Sequence, residues 1–190
     1  MNPTEWFVGL SDSIKNTRCR RRLADTTLDI GFDHLRVLFQ ETRSKSKTVY
    51  WIGNGGSNAI CTHLSQDVMN KLNLRSFALN DASLLSCMSN DFGYENSFSK
   101  PVGKMISDGD LLIAISSSGN SENILRAVEK AHEKGAKIVT LSSFNDDNKL
   151  FTVDADLSFY LPAKLYGHAE LGHAALLHAA IECLFLSENK

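Results

Sequence analysis

The sequence predicts an α/β fold in which one parallel sheet is covered by helices on both faces. Two patterns carry this. Short apolar runs rich in β-branched residues alternate with longer segments of helical period, the order expected of strand–helix–strand units. One of those runs, Leu111–Ile115, is apolar throughout, as a strand buried on both faces must be. Size agrees: 190 residues with 43% hydrophobic and 22% charged side chains are enough for one sizeable core. With only three prolines, no Pro/Gly/Ser-rich linker and no repeat, a single domain over residues 1–190 is expected.

The elements follow in order. A long amphipathic helix is predicted over Thr26–Ser44, where Leu28, Phe32, Leu35, Leu38 and Phe39 recur at helical spacing and Ile30 and Val37 widen the apolar face. One sheet face covers only part of so wide an arc, so the N-terminal helices of residues 1–46 are expected to serve oligomerisation. Five strands are predicted, at Thr48–Ile52, Arg75–Leu79, Leu111–Ser116, Lys137–Leu141 and Leu157–Leu161. Helices fill the gaps at Ser57–Leu72, Ala82–Asn90, Asn96–Met105, Ser121–Lys134 and Asn148–Thr152, and a last one spans Ala169–Leu186.

Composition narrows the class. Lys and Arg number 20 against 22 Asp and Glu, and the one basic cluster, Arg18, Arg20, Arg21 and Arg22, is short and broken by Cys19. No nucleic-acid partner is expected from that balance. The four cysteines, Cys19, Cys61, Cys87 and Cys183, form no CxxC pair and read as inert thiols of a reduced, intracellular protein. Met1–Gly9 lacks the basic start and apolar run of a signal peptide. The most apolar segment, Ala174–Leu186, is interrupted by His178 and Glu182 and is shorter than the ~20 residues of a membrane span. A soluble, cytoplasmic enzyme with no membrane partner is the expectation.

In such sheets ligands bind beyond the carboxyl ends of the strands, so the loops there carry the functional signal. The first is Gly53-Asn54-Gly55-Gly56-Ser57-Asn58, whose glycines let backbone approach a ligand and whose position opens a helix. Asn58 stands at the third glycine position of a dinucleotide fingerprint, and the acidic residue expected about 20 residues on is missing, which disfavours a nicotinamide oxidoreductase. Alone, this loop fits a tight structural turn as well as a ligand cradle. The second is Ser116-Ser117-Ser118-Gly119-Asn120-Ser121, again between a strand and a helix. Ser121 can cap that helix, but one cap does not explain four serines. Hydroxyls without Lys or Arg, on a helix N-terminus, suit a small phosphate monoester.

Helix spacing adds a metal-type constellation. His63 and Asp67 stand at i and i+4 on the helix after the glycine loop, so they share a face. Glu170 and His178 are about 80° apart on the last helix, whereas His173 lies roughly 140° from His178 and reads as a core histidine. His63, Asp67, Glu170 and His178 are the candidate ligands.

The two loops in this order, with Ser89-Asn90-Asp91-Phe92-Gly93-Tyr94 between them and the long final helix, resemble the sugar isomerase (SIS) domain family, and within it the phosphoheptose isomerases. The resemblance covers nearly the whole chain. It implies a doubly wound, flavodoxin-like five-stranded parallel sheet and a homotetramer with active sites completed by neighbouring subunits. It further implies one Zn2+ per subunit and isomerisation of sedoheptulose 7-phosphate to D-glycero-D-manno-heptose 7-phosphate through an enediolate. On this reading the serine loop (Ser116, Ser117, Ser118, Ser121) holds the phosphate. Asn54, Gly55, Ser57, Asn90, Asp91 and Glu170 contact the sugar, and Asp67 and His178 are the acid–base pair. The match departs at Asp67, where the family has Glu, at Glu170, where it has Gln, at Lys71 for Arg and at Gly167 for Asp. Two carboxylates around a dication make a neutral site that is a weaker Lewis acid than one carrying a net charge. A non-catalytic SIS protein that binds a phosphosugar or a partner is the alternative, favoured by those changes; the retained His63 and His178 favour the enzyme.

Overall fold

The structure, a computed structural model of the chain, describes residues 1–189. The five predicted strands all form: β3 (Thr48–Gly53), β4 (Arg75–Ala78), β5 (Leu111–Ser116), β6 (Lys137–Ser143) and β7 (Leu157–Leu161). They are parallel neighbours in the order β4-β3-β5-β6-β7. The sheet nevertheless has seven strands, not five. A hairpin of β1 (Arg18–Arg21) and β2 (Ala24–Thr26) adds to it, with β1 antiparallel to β7 and pairing Arg18 with Tyr160 and Arg20 with Ser158. The sheet is therefore mixed. Sequence patterning missed the hairpin because RCRR and ADT lack the apolar β-branched run of a buried strand, and because its turn carries no glycine or asparagine: Arg22 and Leu23 adopt φ of 49° and 64° instead.

Helices alternate with strands: α1 (Pro3–Lys15), α2 (Leu28–Ser44), α3 (Gly56–Leu72), α4 (Ala82–Phe92), α5 (Ser99–Met105), α6 (Glu122–Glu133), α7 (Lys149–Thr152) and α8 (Tyr166–Glu188). α1 starts with a capping box, Asn2 and Glu5 bonding each other's backbone N–H, with Pro3 at the first helical position. The single helix expected over Asn96–Met105 splits into a 3-10 turn at Tyr94–Asn96 and α5. Pro101 is the reason, since it is tolerated only within the first turn of a helix.

Period-two alternation assigns each strand's side chains to two cores. Val49, Trp51, Leu111, Ile113, Ile115, Val139 and Phe159 meet α2, α3 and α8 through residues such as Phe39, Leu64 and Ile181. Tyr50, Ile52, Leu112, Ala114 and Ile138 meet α5 and α6 through Val102, Ile124 and Val128. The buried Trp51 indole donates to Ser76 Oγ at 2.8 Å, so its polar end is satisfied. α8 is longer than expected and, at 23 residues with a mean hydropathy of 1.3 over 18 of them, is long and apolar enough to cross a membrane by composition alone. Here it packs against α1, α2, α3 and the sheet, and buries Leu176, Leu177, Ile181 and Leu184.

The basic cluster is drawn into ion pairs on the hairpin. Arg18 meets Asp146 at 2.7 Å, Arg20 meets Asp25 at 2.8 Å and Arg22 meets Asp156 at 2.9 Å, while the Arg20 guanidinium lies 4.5 Å from the Phe151 ring centroid. Cys19 and Cys61 are buried, which pushes the Cys19 thiol up to about 12 and Cys61 higher still; Cys87 and Cys183 are exposed, and all four are free thiols.

Candidate active site

Strands β3 and β5 are hydrogen-bonded neighbours, with Gly53 opposite Ile115, so the glycine loop and the serine loop leave the sheet side by side. From there the chain continues outward in opposite directions, to β4 and to β6, which makes this the switch point of the parallel sheet. Gly55 takes a φ of +54°, open to a residue without Cβ, and α3 begins at once with no side-chain cap. Ser121 occupies the N-cap position of α6 but makes no capping hydrogen bond. Both helices thus enter the site with uncapped N–H groups and the positive ends of their dipoles.

Asn54, Gly55, Ser57, Ser116, Ser117, Ser118, Ser121 and Glu170 line one cavity of about 260 Å³, completed by Gly56 and Tyr166. The hydroxyls are loosely engaged: Ser116 Oγ lies 3.3 Å from Ser121 Oγ and 3.5 Å from Ser118 Oγ, and the Asn120 N–H donates to Ser118 Oγ at 3.2 Å. The frame behind them is tight. Leu150 N–H donates to Gly119 O at 2.9 Å, Lys149 N–H to Asn120 Oδ1 at 3.1 Å and Ser143 N–H to Ser117 O at 3.0 Å, which ties the loop to α7 and β6. Asn54 exchanges amide bonds of 2.9 and 3.0 Å with Asn123 and accepts from the Tyr94 hydroxyl at 2.9 Å. Glu170 is the one charged side chain in the lining. Its carboxylate fills the space a Cβ on Gly56 would need, so that glycine is what lets it reach the first turn of α3.

Further along the α3–α8 contact lies a second constellation. His63, Asp67 and His178 offer ligand atoms that all fall within 4.8 Å of one another. Asp67 Oδ2 is 3.5 Å from His178 Nδ1, and the two imidazole centroids are 5.1 Å apart. Asp67 is 6% exposed and accepts from Gln66 Nε2 on one oxygen and from Lys71 Nζ, at 3.1 Å, on the other. Lys71 Nζ also reaches Glu182 Oε1 at 3.1 Å, and these two carboxylates push its pKa above the usual lysine value. Two imidazoles and a carboxylate that converge from two helices are a donor set zinc accepts, with a coordination position left open. Glu170 is not among the converging donors. It sits at Gly56, which precedes His63 by about 10 Å of helix rise.

His173 is fully buried, donates from Nε2 to Ser142 O at 3.1 Å, and is pushed down to about 4 by burial. It ties α8 to the end of β6. Asn90 and Asp91 are exposed on α4, where Asn90 Nδ2 donates to Asp91 Oδ1 at 2.9 Å, and neither lines the cavity. Tyr166 is the lining residue that sequence reasoning missed. It stands at i−4 from Glu170 and so shares its face, but the last helix is predicted to start only at Ala169. Its ring meets Phe144 edge-on at 4.9 Å.

Hydroxyls and two uncapped helix starts at the switch point of a doubly wound α/β sheet are an arrangement that suits an anionic small molecule. The chain belongs to the SIS, or sugar isomerase, domain family, which it matches over residues 19–143. It is 35% identical over 156 residues to a phosphoheptose isomerase of Proteus mirabilis, covering 78% of this chain and 79% of that one. With a phosphoheptose isomerase of Serratia proteamaculans it shares 37% identity over 151 residues, 77% and 76% of the two chains. Among solved structures, a phosphoheptose isomerase from Neisseria gonorrhoeae superposes with a TM-score of 0.81 at 28% identity, over 95% of this chain and 93% of that one.

Proposed function

We propose that this protein is a phosphosugar aldose–ketose isomerase that converts sedoheptulose 7-phosphate to D-glycero-D-manno-heptose 7-phosphate in the cytoplasm, as one SIS domain over residues 1–190. The observation that carries this reading is the cavity into which both loops open, with the serine hydroxyls and the start of α6 on one side and the Glu170 carboxylate at the start of α3 on the other. A phosphate dianion suits the first side, where hydroxyls and backbone N–H groups donate without a counter-ion. The relatives named phosphoheptose isomerase supply the substrate class.

Isomerisation removes a proton beside a carbonyl and returns it to the neighbouring carbon, which needs an acid–base group and a means of stabilising the enediolate oxygen. We assign the proton transfer to His178, one-third exposed and 3.5 Å from Asp67, with Asp67 as its partner in the acid–base pair. His63, Asp67 and His178 would hold the Zn2+, one per subunit. A cation bound there supplies Lewis acidity toward a carbonyl oxygen. Glu170 and Asn54 orient the sugar in the cavity.

The direct test is turnover of sedoheptulose 7-phosphate by the purified chain, with His178→Gln as the variant. Activity should fall about 10²–10⁴-fold with the fold intact. Full activity in that variant would remove the assignment. One observation favours a second reading: His63, Asp67 and His178 do not line the cavity. A wild-type chain that binds the sugar phosphate tightly and never turns it over would make the protein a phosphosugar-binding module instead.

A further inference from the structure

Lys71 is the cation already in contact with the His63–Asp67–His178 constellation. It stands one turn beyond Asp67 on α3, and its Nζ lies 3.1 Å from Asp67 Oδ2 and 3.1 Å from Glu182 Oε1. That same Asp67 oxygen faces His178 Nδ1 at 3.5 Å. The carboxylate oxygen turned toward His178 is therefore held by an ammonium group. We propose that Lys71 is a built-in competitor of the divalent cation: it neutralises Asp67 while the cation is absent, and gives Asp67 up for Glu182 when the cation is taken up. The proposal rests on the metal-binding reading of the three ligands and is independent of which sugar is isomerised.

The energetics follow from burial. Asp67 is 6% exposed, and a carboxylate taken that far out of water requires a counter-charge in every state of the protein. Its other oxygen receives only the Gln66 amide, and the facing groups on α8 are His178 and, through Lys71, Glu182. An ammonium and a dication on the same oxygen repel each other strongly at this depth, so the two occupants exclude one another. Lysine suits the exchange: its charge is a compact point on a flexible stem, and rotating that stem moves it without disturbing α3. Glu182 is placed to receive it. It stands one turn after His178 on α8, more than half exposed, and already holds one of the ammonium protons. The site thus carries both the competitor and the place to which the competitor retreats.

The test is metal affinity of the full chain, stripped of metal and titrated with Zn2+ by calorimetry and with Co2+ by its visible absorption. Lys71→Met should bind either ion roughly tenfold more tightly than wild type, and Lys71→Arg, which keeps the competing charge, should stay near wild type. Asp67→Asn should abolish the signal in both backgrounds, which places it at these ligands. Glu182→Gln should weaken binding several-fold in wild type and leave Lys71→Met unchanged, because Glu182 acts through the lysine. Weaker or unchanged binding by Lys71→Met would overturn the proposal and make Lys71 a support that holds Asp67 in place. An equal loss from Glu182→Gln in both backgrounds would overturn the retreat to Glu182. Should Lys71→Met fail to fold, Glu182→Gln alone decides, since unchanged or tighter binding contradicts the exchange. Absence of any metal signal in both wild type and Lys71→Met overturns the proposal while leaving isomerase activity, assayed separately, to stand or fall alone.

Discussion

Ser121 occupies a capping position without capping, and that one hydroxyl shows how the site is assembled. A serine whose Oγ is not committed to the helix backbone remains available to a ligand, and Ser118 is held only by long bonds, from the Asn120 N–H and with Ser116 Oγ. Replacing Ser118 and Ser121 with alanine should therefore weaken the binding of a sugar phosphate, by roughly 1.5–3 kcal/mol for each hydrogen bond lost to the charged group. Calorimetry with the phosphorylated and unphosphorylated sugar separates the contributions; an equal loss for both would remove the phosphate from this loop. His173 makes the opposite commitment. Burial holds its pKa near 4 against an ordinary 6.5, so between those values the unfolded chain binds a proton that the folded chain refuses. The stability associated with this group is complete above about pH 6.5 and is lost as pH falls toward 4, an effect of roughly 3 kcal/mol. His173→Gln, whose amide can still donate to Ser142, should show a flatter melting temperature across that window. An unchanged slope would assign the acid sensitivity elsewhere.

At the scale of elements, the hairpin of β1 and β2 is where local preference and fold disagree. Arg22 and Leu23 both sit in the left-handed region, which costs a residue with Cβ roughly 1–2 kcal/mol. Leu23 is 57% exposed, so Leu23→Gly removes the strain at little cost in contacts and should raise stability by about 1 kcal/mol, read as a higher denaturant midpoint. A lower midpoint would mean that the exposed leucine packs more than it strains. The same hairpin marks the limit of what was legible. The parallel strands were readable because Val49–Ile52 and Leu111–Ile115 are apolar on both faces, a pattern that only a covered sheet needs. β1 was not, because it buries Cys19 on one face and pairs Arg18 with Asp146, a partner no local window contains. In the site, the loops were legible from glycine and serine spacing. The separation of Glu170 from His178 was legible too, since eight residues of helix rise about 12 Å, but the angle around the helix alone does not register it. The start of α1 was available in the Asn2-Pro3-Glu5 pattern and went unread.

For the whole molecule, part of the exposed apolar surface lies on the N-terminal helices. Phe7 and Val8 on α1 are 65% and 55% exposed, Ile30 and Val37 on α2 are 51% and 36%, and a groove between α2 and α8 runs past Phe32, Ala180 and Leu184. A homotetramer formed through these helices would bury the face, with a dimer as the smaller solution. Ile30→Asp combined with Val37→Asp should convert the wild-type oligomer to monomer in sedimentation while circular dichroism stays unchanged. A wild-type chain that sediments as a stable monomer at micromolar concentration would refute the assembly.

The pairing of β1 with β7 also sets a schedule. Arg18 pairs with Tyr160, and α1 rests on α8, so two early elements find partners far along the chain, although β1 also pairs with the adjacent β2. Contacts this distant in sequence close late and slowly, because a long loop must be ordered before they form. The docking of the hairpin on β7 and of α1 on α8 therefore waits while β3 to β6 assemble, and the sheet is completed only when β7 is in place. α8 belongs to that same final stage and brings Glu170, His173 and His178 with it. A chain without α8 thus holds both loops and lacks Tyr166 and Glu170 of the cavity lining, so the docking of α8 also closes the cavity.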